Sequence, residues 1–247
     1  GLFITDGVIV ISKYSNGDEK IYRDVDGKTL FDGPLVILTS KATASAAEIV
    51  AQALQDYGVA LVVGDEHTYG KGTIQTQTVT DNQSSSYFKV TVGKYYTVSG
   101  HTPQKEGVKA DVVAPSHWHR EEIGEKYADT LEADVIPPIY EDNLRDVPAN
   151  LRSWYIKYYI PKLQKRTSIW RDLLPTLRKN SEYRIAHNKN YQYFLKGVTT
   201  HEDDIESEDE WNVTDKKNKT YGEDDLQVQE AVNILKDMII LNNLTKK

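Results

Sequence analysis

The 247 residues are enough for one large domain or two modest ones, and 39% hydrophobic residues can build a core. A net charge of −7 argues against a nucleic-acid partner, because binding phosphate needs a clustered basic surface. No run of about 18 apolar residues reads as a membrane span, and the absence of cysteine excludes disulfides, thiolate metal sites and cysteine nucleophiles together.

Gly1-Leu2-Phe3-Ile4 has neither the basic start nor the long apolar stretch of a signal peptide, nor a methionine. The chain is therefore expected to be a piece of a longer protein. Residues 35–38 (Leu-Val-Ile-Leu) form a continuous apolar run of strand length, which predicts burial on both sheet faces. Residues 44–56 follow with Ile49, Val50, Ala53 and Leu54 at helical spacing, and Gly58 stops the helix just past its last turn. Residues 59–63 are a second apolar strand closed by Gly64. Strand, helix, strand with short links predicts a βαβ unit with a parallel crossover.

Gly70-Lys71-Gly72 opens an extended stretch over 73–80, a polar turn is expected at 81–86, and a strand returns over 87–98. Residues 100–107 read as a loop and 108–113 as a short strand. Beyond Ser116 the chain turns rich in charge, Tyr and Trp and reads as mostly helical. The segment 151–163 carries Trp154, Tyr155, Tyr158, Tyr159 and Ile160 on one helical face, with Pro161 as a kink or break. Further helices are expected at 169–179 and 182–194. Residues 201–210 form an acidic, solvated linker, and 224–242 form the clearest helix, with Val228, Ala231, Val232, Ile234, Leu235, Met238 and Ile239 as a buried stripe.

Thr43-Ala44-Ser45-Ala46-Ala47-Glu48 admits two readings. Ser45 with Glu48 three residues later fits a capping box, and on spacing alone a capping serine is the commoner case. The same position suits a nucleophile, because a hydroxyl at a helix start lies beside free backbone N–H groups able to hold an oxyanion. Such a serine needs a base. His67, His101, His117, His119, His187 and His201 fall in no triad motif and read as loop or surface residues, and His117-x-His119 is too isolated for a metal site. Lys71 is the other candidate. A lysine amine starts near ~10.4, so basicity at neutral pH asks for roughly 4 kcal/mol of differential stabilisation, which an apolar pocket can supply. At period two, Lys71, Thr73 and Gln75 share a face, and the Gln75 amide oxygen could orient the amine without adding charge. Taken alone, Lys71 reads more readily as an ordinary surface lysine in a glycine turn.

Four linked segments resemble the C-terminal processing (tail-specific) peptidase family. They are Thr43-Ala44-Ser45-Ala46-Ala47-Glu48-Ile49, Ala53-Leu54-Gln55-Asp56-Tyr57-Gly58, Val62-Val63-Gly64 and Thr68-Tyr69-Gly70-Lys71-Gly72-Thr73-Ile74-Gln75. Val92-Gly93-Lys94-Tyr95-Tyr96 and Gly107-Val108-Lys109-Ala110-Asp111 extend the likeness, with Ala110 where the family usually has proline, and Glu230-Ala231-Val232-Asn233-Ile234-Leu235 is similar to the helical region of the tail-specific branch. The likeness covers roughly residues 33–113.

The resemblance implies an α/β, crotonase/ClpP-like protease core over 1–115 followed by a mostly α-helical domain over 116–247. It implies a serine endopeptidase with Ser45 as nucleophile, Lys71 as general base, Gln75 orienting the lysine and the Ala46 N–H as half of the oxyanion hole. No cofactor, metal or nucleic acid is called for. Asp56 also falls on a position the family favours, where a structural role at the helix end is the better reading. Thr43 and Ala47 replace serines usual around the nucleophile. The family's amino-terminal region, PDZ domain and Gly-rich turn are expected upstream of Gly1. That turn supplies the other oxyanion donor, whose loss costs about 10²–10³ in rate, so the isolated chain is expected to be inactive. The implied partners are proteins with apolar carboxy-terminal tails and the upstream part of the same protein, in the periplasm or cell envelope. Two alternatives from other classes are a non-catalytic peptide-binding scaffold on the same fold and a crotonase-like thioester enzyme.

Overall fold

The computed structural model describes residues 1–79, 87–126, 129–196 and 225–245, and the expected turn at 81–86 and acidic run at 201–210 lie outside them. The chain opens with an antiparallel hairpin, β1 (Gly7–Tyr14) and β2 (Glu19–Asp24). No element was expected here, although Asn16-Gly17 is a strong hairpin signal. Next come β3 (Val36–Thr39), helix α1 (Ala46–Tyr57) and β4 (Leu61–Gly64), with β3 parallel to β4 as the βαβ reading requires. β5 (Thr73–Val79) and β6 (Tyr87–Thr97) pair antiparallel, and β7 (Val112–Val113) is shorter than the strand expected over 108–113. Two sheets result, an antiparallel one in the order β2-β1-β6-β5 and a parallel one in the order β3-β4-β7.

Helix α1 packs on both sheets. Its Tyr57 enters a core with Ile4, Val8, Ile11, Ile21, Tyr96 and Val98 of the antiparallel sheet and its flanks. Ala51 packs on Val62 of the parallel sheet and on Val108. The opposite face of the parallel sheet carries Leu61, Val63 and Val112. They pack on Leu177 of α3 (Leu174–His187) and on Ala231, Ile234 and Met238 of a long helix, α5 (Leu226–Thr245). The central strand β4 is therefore buried along its length, as a continuous apolar run should be. The edge strand β3 departs from that expectation, since Leu38 is 40% exposed.

The second half is less helical than composition suggests. Residues 115–148 contain no helix among those described. Prolines 115, 137, 138 and 148 withhold N–H donors, and the backbone bonds sideways instead. Ile136 and Ile139 N–H groups reach Gly100 and Val98 carbonyls at 2.9 and 2.8 Å, and Glu125 N–H reaches the Tyr69 carbonyl. The helix expected over 151–163 begins as α2 (Ala149–Trp154), widens to a π-turn at Tyr155–Tyr159 and tightens to a 3₁₀ turn at Ile160–Lys162. Pro161 cannot donate to the Lys157 carbonyl, and the ladder changes pitch around it. Only Tyr159 of that aromatic face is fully buried, while Trp154 and Tyr158 stay about half exposed. Helix α4 (Lys189–Lys196) follows α3. In α5 the buried stripe is narrower than expected, since Val232 and Ile239 are exposed on the side away from the sheet.

Candidate active site

The site forms where the amino end of α1 meets the loop leaving β4. Ser45 precedes the first helical residue with φ 58° and ψ −118°. An ordinary N-cap residue takes extended backbone, so Ser45 adopts a conformation that capping does not require. A non-glycine residue held at positive φ costs about 1–3 kcal/mol and persists only where its surroundings enforce it.

Glu48 is the main enforcer. Its carboxylate is completely buried and accepts from four donors. One oxygen takes the Thr68 hydroxyl and the Gly70 N–H (2.7 Å); the other takes the Ser45 N–H (2.8 Å) and the Lys71 N–H (2.9 Å). One buried anion thus joins the backbones of the candidate nucleophile and base. The Tyr69 N–H adds a bond to the Thr43 carbonyl at 2.9 Å, so the β4 loop is laid along the segment that enters α1. Gly70 permits this course, with φ 92° and the Lys105 backbone so close that a Cβ would sit 3.0 Å from it. Gly72 N–H donates to buried Gln104 Oε1 at 2.8 Å, and the Gly72 carbonyl accepts from Tyr95 N–H at 2.9 Å. The Tyr95 side chain, only 4% exposed, turns back so that its hydroxyl meets the Lys71 carbonyl at 2.5 Å and the Ser45 carbonyl at 3.0 Å.

The fold thus brings the segments of Ser45, Ala46 and Lys71 together. Ser45 and Lys71 are half-buried, and Ala46 is exposed at the first helical position, where a backbone N–H has no acceptor one turn back. Among the described residues, Lys71 takes part in no ion pair. Gln75 lies on β5, exposed, directly after a register shift between Ile74 and Gln75. The extra residue at that shift is Val92 on the partner strand β6, so β5 itself keeps the alternation expected to align Lys71, Thr73 and Gln75.

The described histidines are engaged elsewhere. His67, His119 and His187 place Nδ1 against the carbonyls of Thr68, Ser116 and Tyr183, His117 lies against the Trp118 ring, and His101 forms an isolated bridge with Val135. Asp56 closes the other end of α1. It accepts from the Thr97 hydroxyl and the Ser99 N–H, and burial pushes its pKa above the ordinary carboxylate value. Glu48 and Tyr95 are the residues that sequence reasoning missed as parts of the site. Glu48 was legible only as half of a capping box, and Tyr95 only as one of two strand tyrosines.

Residues 1–114 match the model of peptidase family S41, the tail-specific protease family. The tail-specific protease of Haemophilus influenzae is 34% identical over 144 residues, which are 56% of this chain and 21% of that protein. Carboxyl-terminal processing proteases of Picosynechococcus and Bacillus subtilis are 42% and 37% identical over 114 residues, 46% of this chain and 27% and 24% of theirs. A solved photosystem II D1 C-terminal processing protease shares 37% identity over 46% of this chain and 29% of that one, with a TM-score of 0.41. The chain thus spans about a quarter of the length of the curated relatives it matches.

Proposed function

We propose that this chain carries the nucleophile and general base of a serine endopeptidase that recognises proteins by their carboxy-terminal tails. The observation that carries the reading is Ser45 at φ 58°, at the start of α1, tied through the Glu48 carboxylate to Lys71. A capping box accounts for the Ser45–Glu48 bond, but not for the strained backbone or for the same carboxylate reaching on to Lys71. Neutral Lys71 takes the Ser45 proton as the hydroxyl attacks a peptide carbonyl. The oxyanion rests on backbone N–H groups, that of Ala46 among them. Lys71 then protonates the leaving amine, and water hydrolyses the acyl-enzyme. Gln75 has the role of orienting the lysine. The names of the relatives support tail recognition, and a bacterial envelope or periplasmic site of action goes with it.

The test uses the full-length protein that contains this chain. Ser45 should react with a fluorophosphonate probe, and Lys71→Ala should slow casein cleavage about 10²–10⁴-fold, the usual contribution of a general base. Unchanged cleavage in Lys71→Ala would remove this base from the mechanism. A Ser45 that never reacts would leave a non-catalytic peptide-binding scaffold as the better reading.

A further inference from the structure

Ser45 and Lys71 are braced on both sides of their peptide groups. On the N–H side, one oxygen of Glu48 accepts from both residues, at 2.8 and 2.9 Å. On the carbonyl side, the hydroxyl of Tyr95 meets both residues, at 3.0 and 2.5 Å. The geometry points to Tyr95 as a positioning residue for the reaction. It is a phenolic clamp that holds the peptide plane of the nucleophile against that of the base. This inference rests on the Ser45/Lys71 reading above and adds to it a residue on β6, the strand paired with the one that Lys71 leads into.

Four observations single out this hydroxyl. It bridges segments 26 positions apart in sequence, and both of its contacts are to the two residues whose relative placement the chemistry needs. Its own backbone is fixed by the same loop, because the Tyr95 N–H donates to the Gly72 carbonyl. The ring is buried, so the hydroxyl has little room to swing away. Burial, with the Glu48 charge beside it, pushes the phenol far above its usual range, so it stays a donor at every pH where the enzyme would work. The neighbouring Tyr96 makes the contrast. Its ring enters the core of the antiparallel sheet, and its hydroxyl donates to Asp134, away from Ser45 and Lys71. Alternation along β6 sends the two tyrosines to opposite faces.

A clamp of this kind acts through alignment. A misplacement of about 1 Å between reacting groups can cost about 10²-fold in rate, whereas loss of one hydroxyl that only stabilised the fold would reduce the folded population and leave the chemistry of each folded molecule alone. The experiment compares Tyr95→Phe with wild type and with Tyr96→Phe in the full-length protein. It follows the rate of Ser45 labelling by a fluorophosphonate, kcat and KM on a peptide substrate, and thermal unfolding. Tyr95→Phe is expected to lower kcat and the labelling rate per folded molecule about 10–100-fold with KM unchanged, while Tyr96→Phe labels at the wild-type rate. Wild-type labelling and kcat in folded Tyr95→Phe would overturn the proposal. If Tyr95→Phe does not fold, Tyr95→Met fills the space without a donor and is read in the same way. Failure of both to fold assigns Tyr95 to stability and also overturns it. Failure of the underlying protease reading looks different, because Ser45 would then be unreactive in the wild type itself.

Discussion

The two ends of α1 each bury an acid, and they use it differently. At the amino end, the completely buried Glu48 gathers backbone N–H groups from Ser45, Gly70 and Lys71, and the positive φ beside it falls on a serine. At the carboxy end, Asp56 takes the Thr97 hydroxyl and the Ser99 N–H, and the positive φ falls on Gly58, where it costs little. Around Gly58 the helix end is also packed, with Tyr57 donating to the Val8 carbonyl and Tyr140 to the Asp56 carbonyl. Closing a helix therefore does not require strain in this protein. Of the two ends, only the one that presents a hydroxyl carries positive φ on a non-glycine residue, and that asymmetry is what the proposed function draws on.

The comparison can be broken or sharpened by substitution in the full-length protein. Glu48→Ala should have the largest effect. It strands the buried Gly70 N–H and Thr68 hydroxyl and the half-buried N–H groups of Ser45 and Lys71, costing roughly 3–5 kcal/mol in urea unfolding, and should abolish Ser45 labelling in whatever folds. Asp56→Ala should cost less, about 1–3 kcal/mol, and leave labelling of folded molecules intact. An Asp56 variant that folds but does not label would erase the distinction between the two ends. Ser45→Gly should go the other way. It relieves the backbone at φ 58° and raises stability by about 1 kcal/mol while activity disappears. A loss of stability there would mean that the conformation is not strained.

The smallest expected effect is one of pH. The folded-state pKa of Asp56 is raised above its ordinary value of 3.8 by burial. Between the unfolded and folded values the native state binds more protons, so this group's contribution to stability is present at low pH and is lost as pH rises through the folded value. The difference in unfolding free energy between wild type and Asp56→Asn should therefore fall with increasing pH from about 4 upward. A flat difference would contradict the assignment of Asp56 as a desolvated carboxyl.

Much of the scaffold was legible along the chain. The apolar run ending in Gly64, the helical spacing of 44–56 with Gly58 as its stop and the parallel pairing of β3 with β4 all follow from local periodicity, which burial on two faces of a sheet imposes. The hairpin over 7–24, not among the expected elements, also carries a local turn signal in Asn16-Gly17. The second half reads as mostly helical by composition, yet a loop at His117-Trp118-His119 and a break at Pro137-Pro138 precede its first expected helix, and 115–148 holds no helix among the described residues. Composition does not say where a backbone's hydrogen bonds go, and there they go to residues 69, 98 and 100. On α5, apolar residues lie on more than one face, so only packing decided that Ala231, Ile234 and Met238 are inside while Val232 and Ile239 are not.

The sequence by itself determined the βαβ unit, the serine at a helix start and the lysine between two glycines, because each is written in residues close together in the chain. Only the tertiary structure decided that these residues belong to one site. Glu48 reaches across 23 positions to Lys71, and Tyr95 reaches across 50 to Ser45. Such contacts exist only once a buried carboxylate must find donors and a buried hydroxyl must find acceptors, and those requirements arise when the chain closes around them.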